Sequence, residues 1–414
     1  MTKRLPDDCF ALPPGVDWTP VDEALARLRD SLGPITGVER RSLAECCGRI
    51  LAEPVFARRA NPPATNAAVD GYAFAWASVD GKSGDLALAT GRAAAGHPHG
   101  APVSSGHTLR ILTGAEVPEG ADTVVMQEDV TLADGRATFP LPRKAGANTR
   151  PAGEDAKAGD EVLPAGRCLT PADLARAAAV GAAECRIRKR LRLAVLSTGD
   201  ELVQPGDSAH GIFDANRPML VALARRLGFD VLDLGAAPDD AEAIRAAFDR
   251  AAEGADALVT TGGASAGDED HISRLLTTEG QVTTWRIAVK PGRPLALGMW
   301  RGLPVFGLPG NPVAAFVCAL IFMRPALGLM AGEGWHLPQA FEVPAAFEKS
   351  KKPGRREYLR ARIRDGRAEI FHSEGSGLVG GLSWAEGLVE LPEPALTIRP
   401  GDPVRYLPFS SFGI

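Results

Sequence analysis

Carboxylates, glycines and two cations, spaced between residues 197 and 311 of this 414-residue chain, are the groups best suited to chemistry. They are Ser197, Thr198, Gly199, Asp200 and Glu201; Asp239 and Asp240; Gly262, Gly263, Ser265, Asp268 and Asp270; Lys290, Gly292 and Arg293; and Pro309, Gly310 and Asn311. Glycine lets backbone N–H groups approach an anion, and a helix N-terminus adds partial positive charge. Lys290 and Arg293 would neutralise phosphate, whereas Asp239 and Asp270 would repel it unless a divalent cation lay between. The set suits a phosphorylated ligand held with Mg2+. No Gly-x-x-x-x-Gly-Lys-Ser/Thr occurs, and Gly262-Gly-Ala-Ser-Ala-Gly267 lacks the Gly-x-Gly-x-x-Gly spacing, so the common nucleotide motifs are excluded. Any one of these residues alone is an ordinary turn or cap residue; their convergence is what would make a site.

Convergence requires strands that all end on one edge. Leu191 to Ser197 is an apolar run of strand length that breaks at Thr198-Gly-Asp-Glu201. Asn216 to Leu227 is apolar at helical spacing and stops at Gly228. Asp230 to Leu234 reads as a second strand, and Asp239-x-x-Glu242 as a capping box opening a helix to about Ala252. Ala257 to Thr261, a glycine loop to Asp268 and a helix from about Asp270 to Leu276 repeat the plan. Two further runs, Thr284 to Val289 and Leu303 to Leu308, end in Gly/Pro turns, and the second feeds an apolar segment from Pro312. This alternation predicts a doubly wound, mostly parallel α/β sheet whose ligands bind outside the carboxyl ends of its strands.

At this length several domains are expected. A hydrophobic content of 45%, 23% charged residues and a net charge of -5 describe an ordinary globular protein and argue against a nucleic-acid partner. Arg186 to Arg192, the densest basic run, reads as a solvated linker. Pro312 to Ala331 is interrupted by Arg324-Pro325, so it reads as a buried helix and no membrane is expected. Six cysteines without Cys-x-x-Cys spacing, and no signal-peptide pattern, place the chain in the cytoplasm with reduced thiols.

Thr19-Pro20 should open a helix to about Leu32, and Ser42-x-x-Glu45 a short one through Arg49. From Asn61 to Pro140 the pattern is short strands and turns, a small β domain. His97, His99 and His107 read as a surface turn rather than a metal site. Pro171 to Gly181 forms another helix, and β structure resumes after Gly332. The basic turn Lys351 to Arg356 is either solvated or reaches an anionic ligand, most readily in a dimer.

Seven short strings in one order make the chain resemble the molybdopterin molybdenumtransferases. They are Val69-Asp-Gly-Tyr-Ala-Phe, Leu112-Thr-Gly-Ala with Val124-Val-Met-Gln-Glu, Arg150-x-x-Gly-Glu-Asp155, Ser197-Thr-Gly-Asp-Glu-Leu, Thr261 to Asp270, Ala288-Val-Lys-Pro-Gly-Arg-Pro and Gly307-Leu-Pro-Gly-Asn-Pro312. The resemblance implies a multidomain α/β plus β protein. Residues 1–57 with 150–188 would form a split extended domain, 58–149 a small β domain, 189–332 the α/β ligand-binding domain and 333–414 a C-terminal β barrel. It implies a homodimer with the site between subunits, and a reaction that takes adenylylated molybdopterin and molybdate, inserts the metal and releases AMP with Mg2+. It also implies a molybdopterin adenylyltransferase and apo-molybdoenzymes as partners. Carried over by position, Asp70, Thr113, Asp155 and Glu201 are its candidate catalytic residues, Asp239 and Asp270 its metal ligands, and Lys290, Arg355 and Ser376 its anion-binding residues.

The pattern is broken where the family usually has Asp and then Ser-Ala-Met: here stand Thr65 and Ala67-Ala-Val69, and Arg286 replaces a common lysine. A hydroxyl cannot supply a carboxylate's charge. A paralogue that binds or delivers the cofactor without turnover, and a nucleotide pyrophosphatase on the shared α/β domain, are therefore the alternatives.

Overall fold

The computed structural model describes residues 18–81, 83–206, 210–262, 271–292 and 294–414. Its centre is a six-stranded sheet built in chain order from β1 (Arg192–Thr198), α1 (Asn216–Arg226), β2 (Asp230–Ala237), α2 (Ala241–Gly254), β3 (Ala257–Thr261), α3 (His271–Glu279), β4 (Gln281–Arg286), β5 (Pro294–Trp300) and β6 (Leu303–Leu308). The strand order is β2-β1-β3-β6-β5-β4. β2, β1, β3 and β6 run parallel, so Ala237, Thr198, Thr261 and Leu308 end on one edge. β5 is antiparallel to both neighbours.

Every residue of β3 and β6 is buried, the signature of strands covered on both faces. The period of two along β1 separates two cores. Leu193 and Val195 pack with Leu220 and Leu223 of α1 and with the helix that follows β6. Ala194 and Leu196 pack on the other face with Phe248 of α2 and Leu276 of α3. Each fully buried side chain of this kind contributes about 1.5–3 kcal/mol.

Several expectations need correction. The strand expected over Thr284 to Val289 is β4, which ends at Arg286; Val289–Lys290 then pairs in parallel with Arg356 and Glu357 of the C-terminal sheet. β5 went unread because it opens on Pro294 and carries Gly298, both depleted in strand interiors. Gly298 is needed: a Cβ there would lie 2.8 Å from Leu276. The N-cap of α2 is Asp240, whose side chain accepts from Ala243 N at 2.8 Å, not Asp239. Ser42 donates to the Glu45 carboxylate at 2.7 Å without capping a backbone N–H, and only a 3-10 turn, Leu43–Glu45, follows. The first helix is Val21–Ser31, with Pro20 at its cap.

Pro312–Ala331 (α4) is among the described residues the one helix long and apolar enough to cross a membrane, and it is 83% buried. It loosens into a π turn at Ala319–Met323, ahead of Pro325, which has no N–H to give the regular ladder. Arg324 pairs with Glu333 at 2.9 Å, and Gly332 closes the helix in the left-handed region.

Elsewhere, Val38–Ser42 pairs antiparallel with Glu184–Arg188, so part of the basic run is a strand; Arg186 is paired with Glu53 and Arg192 with Asp256. Leu51, Val162, Leu169, Ala177 and Ile187 join one core from two distant stretches of chain. Residues 71–140 form a second six-stranded sheet, and strands from 341 to 408 form a third together with Val289–Lys290.

The helix Pro171–Ala179 is held by a capping box in which Thr170 and Asp173 bond reciprocally, while Arg167 donates to Asp173 at 2.8 Å. Burial alone would raise the Asp173 carboxyl, but the bonds from Arg167 and Thr170 outweigh it and hold it at about 2. An ionised Asp173 thus adds stability that is complete above its unfolded value near ~4 and is lost as pH falls toward 2. Asp173→Ala should cost about 1–2 kcal/mol at pH 7 in urea unfolding, and the gap should narrow below about pH 4 and be smallest below about pH 2. A gap independent of pH would contradict this.

Candidate functional site

The parallel strands leave a cavity of about 530 Å3 at their carboxyl edge, lined by Thr198, Glu201, Thr261, Gly262, Gly310 and Asn311 among others. It lies where the chain, having gone from β1 to β2 on one side, crosses back to β3 on the other, the position at which open α/β sheets bind ligands. Gly262 has φ +89, and a Cβ there would lie 2.9 Å from the Thr198 carbonyl oxygen. Only glycine lets this turn come so close. Asn216, at the start of α1, donates to the Gly310 carbonyl at 2.7 Å and ties the loop after β6 to the wall.

The loops after β1 and β2 are cross-tied. Asp239 N donates to Asp200 Oδ1 at 2.9 Å, and Asp200 N to Asp239 Oδ2 at 3.4 Å. Both carboxylates stay exposed, close together and beside Glu201, which faces the cavity. Mg2+ takes one or two carboxylates and otherwise keeps waters and substrate phosphates. Asp200 and Asp239 supply such hard, exposed oxygen donors, so this edge fits the ion, although no cluster of three His, Cys, Asp or Glu side chains exists among the described residues. Gly263, Ser265, Asp268, Asp270 and Arg293 lie outside the described residues.

Two expected ligand contacts are placed otherwise. Ser197 is fully buried, with its hydroxyl 3.1 Å from that of Thr261, because β1 runs one residue further than the sequence suggests. Lys290 is no free phosphate clamp. Burial works against its charge, but Glu374 at 2.6 Å and Glu357 at 3.5 Å outweigh that and raise its pKa. The same C-terminal segment gives the Ser376 carbonyl to Val313 N at 3.0 Å, at the start of α4, and its Gly377 and Val379 line the cavity. Ser376 therefore sits at the rim through its backbone. Pro309 joins β6 to Gly310 and Asn311 on this edge. Arg355 is half-buried beside Lys351, with no ion pair among the described residues, and does not line the cavity.

A second group of residues lies on other segments. Asp70 Oδ1 accepts from both the N–H and the hydroxyl of Thr113, each at 2.7 Å, and these bonds hold its carboxyl below the usual range. Asp155 accepts from Asn61 Nδ2 at 2.9 Å. Thr65, at the departure from the family pattern, accepts from Ala152 N at 3.3 Å and so ties the two segments. None of Asp70, Thr113 or Asp155 lines the cavity. Phe213 and Val379 on the cavity wall, and Asn216 as more than a helix start, are functional positions that do not stand out in the sequence. The legible signal was an apolar pair, Ile212-Phe213, inside a polar connection. His99 turns its ring nitrogens to the carbonyls of Ala101 and Thr90.

Three families match along the chain: the MoeA N-terminal region (domain I and II) over residues 19–181, the probable molybdopterin binding domain over 194–328, and the MoeA C-terminal region (domain IV) over 342–409. The molybdopterin molybdenumtransferase of Haemophilus influenzae is 36% identical over 94% of this chain and 98% of its own. Molybdopterin molybdenumtransferase 2 of Mycobacterium tuberculosis is 33% identical over 87% of this chain and 92% of its own. A molybdopterin biosynthesis moeA protein from Pyrococcus horikoshii superposes with a TM-score of 0.83 at 26% identity, over 95% of this chain and 100% of that one. Similarity of this extent, over the elements that build the cavity and those outside it, shows that the chain belongs to the molybdopterin molybdenumtransferase family.

Proposed function

We propose that the protein is an enzyme of molybdenum cofactor biosynthesis that takes adenylylated molybdopterin and molybdate, inserts the metal at the dithiolene and releases AMP. The observation that carries this reading is the meeting of a glycine-walled cavity with the exposed Asp200–Asp239 pair at the strand-order reversal. Gly262 and Gly310 let the phosphates approach the backbone. Asp200 and Asp239, with Asp270, would hold Mg2+, which when bound offsets the charge of the phosphates and of the departing AMP. Glu201 faces the cavity and can orient the pterin or hold a proton there. Lys290 would add positive charge to the phosphates only by turning from its Glu374 and Glu357 partners toward the ligand.

Asp70, Thr113 and Asp155 lie on segments that the cavity of one chain does not use. A homodimer would bring them to it from a second copy, so we place the complete site between subunits. The substrate would come from a molybdopterin adenylyltransferase and the product would go to apo-molybdoenzymes, in the cytoplasm. Purified protein given adenylylated molybdopterin and Mg2+ should release AMP only when molybdate is added. Tight binding with no AMP release would instead support a carrier, and Thr65→Asp would be the variant to restore turnover.

A further inference from the structure

We propose that Phe213 is the shelf on which the flat heteroaromatic ring of the bound substrate lies; this rests on the reading of the cavity given above. Ile212 and Phe213 are, at 63% and 54%, the most exposed of the large apolar side chains among the described residues. Both line the cavity, so they give its wall an apolar face of the kind that ligand pockets use. Their backbone is fixed: Ile212–Phe213 pairs with Leu202–Val203, and Ile212 N donates to Glu201 O at 2.8 Å. Gly211 is required just before them, because a Cβ there would lie 2.7 Å from the Glu201 carbonyl oxygen. Phe213 therefore stands on a held strand, and Val379 of the C-terminal segment, 43% exposed, lines the same cavity.

A second observation says what kind of molecule belongs there. Asn216 is only 8% exposed, and its Nδ2 bond to the Gly310 carbonyl fixes which way the amide faces. That leaves Oδ1 as a buried acceptor without a partner among the described residues. Unmatched buried acceptors are rare and destabilising, and a small opening of the wall would let an N–H from the edge of a nitrogen heterocycle satisfy this one. The cavity thus runs from glycine backbone suited to phosphate to an aromatic face and a buried acceptor suited to a ring. Pterin and adenine share this chemistry, and binding separates them.

The test is equilibrium binding of AMP, molybdopterin and inorganic pyrophosphate to the full chain with Mg2+. Phe213→Ala should weaken AMP, molybdopterin or both by about 5- to 100-fold, with pyrophosphate unchanged, as expected for loss of one stacking contact. Phe213→Tyr should restore the parental affinity. Loss for AMP alone assigns the shelf to adenine, and loss for molybdopterin alone assigns it to the pterin. Parental affinity for both in Phe213→Ala overturns the proposal, as does an equal loss for pyrophosphate, which would mean a disturbed rim. A parental protein that binds neither AMP nor molybdopterin would overturn the functional reading itself, and this inference with it.

Discussion

Asp239→Asn should lower Mg2+-dependent AMP release by about 100-fold or more, while the protein unfolds within a few degrees of the parent. Removing even the outer support of a metal ligand costs about 10–100-fold, and loss of a ligand's own charge should cost at least as much. The fold is spared because Asp239 is exposed and an amide oxygen can still accept from Asp200 N. Exposed substitutions of this kind usually stay within about 0.5 kcal/mol. Turnover measured across a Mg2+ titration checks this. A variant that matched the parent at every concentration would remove Asp239 from the metal site.

Gly262→Ala should weaken phosphate-bearing ligands by about 10- to 100-fold, which corresponds to losing about 1.4–2.8 kcal/mol of binding free energy. Gly262 has φ +89, and the added methyl would meet the Thr198 backbone at 2.9 Å, which cannot swing aside as a flexible side chain can. The strain should cost only about 1–3 kcal/mol of stability, so the variant remains folded. Gly310→Ala separates strain from ligand contact: its Cβ would meet no protein atom closer than 3.9 Å, so stability should stay parental and any loss of affinity would come from the methyl meeting the phosphate itself. Calorimetric titration with AMP and pyrophosphate reads both. Parental affinity in Gly262→Ala would mean that the ligand does not approach this turn.

Much of this architecture was written locally in the sequence. The runs that became β1, β2, β3 and β6 are apolar and end in glycine or proline, so their succession along the chain and the shared edge on which they finish were readable, as was the family, from seven short strings, whereas their order across the sheet was not. β5 was hidden by its own proline and glycine. Asp239 and Asp240 are adjacent acids, and only backbone geometry decides which one caps α2; the other was thereby freed to meet Asp200. Burial of Ser197 turned on one residue of strand length. What could not be read at all was long-range. Glu374 on Lys290, the Ser376 carbonyl on α4 and Val379 at the cavity join segments more than sixty residues apart, and no local periodicity encodes such contacts.

The most direct test of the central claim is a crystal of the protein soaked with adenylylated molybdopterin and Mg2+. Phosphate density is expected against Gly262 and Gly310, with a metal beside Asp239 and a ring on Phe213. Density elsewhere, or none at saturating ligand, would contradict it.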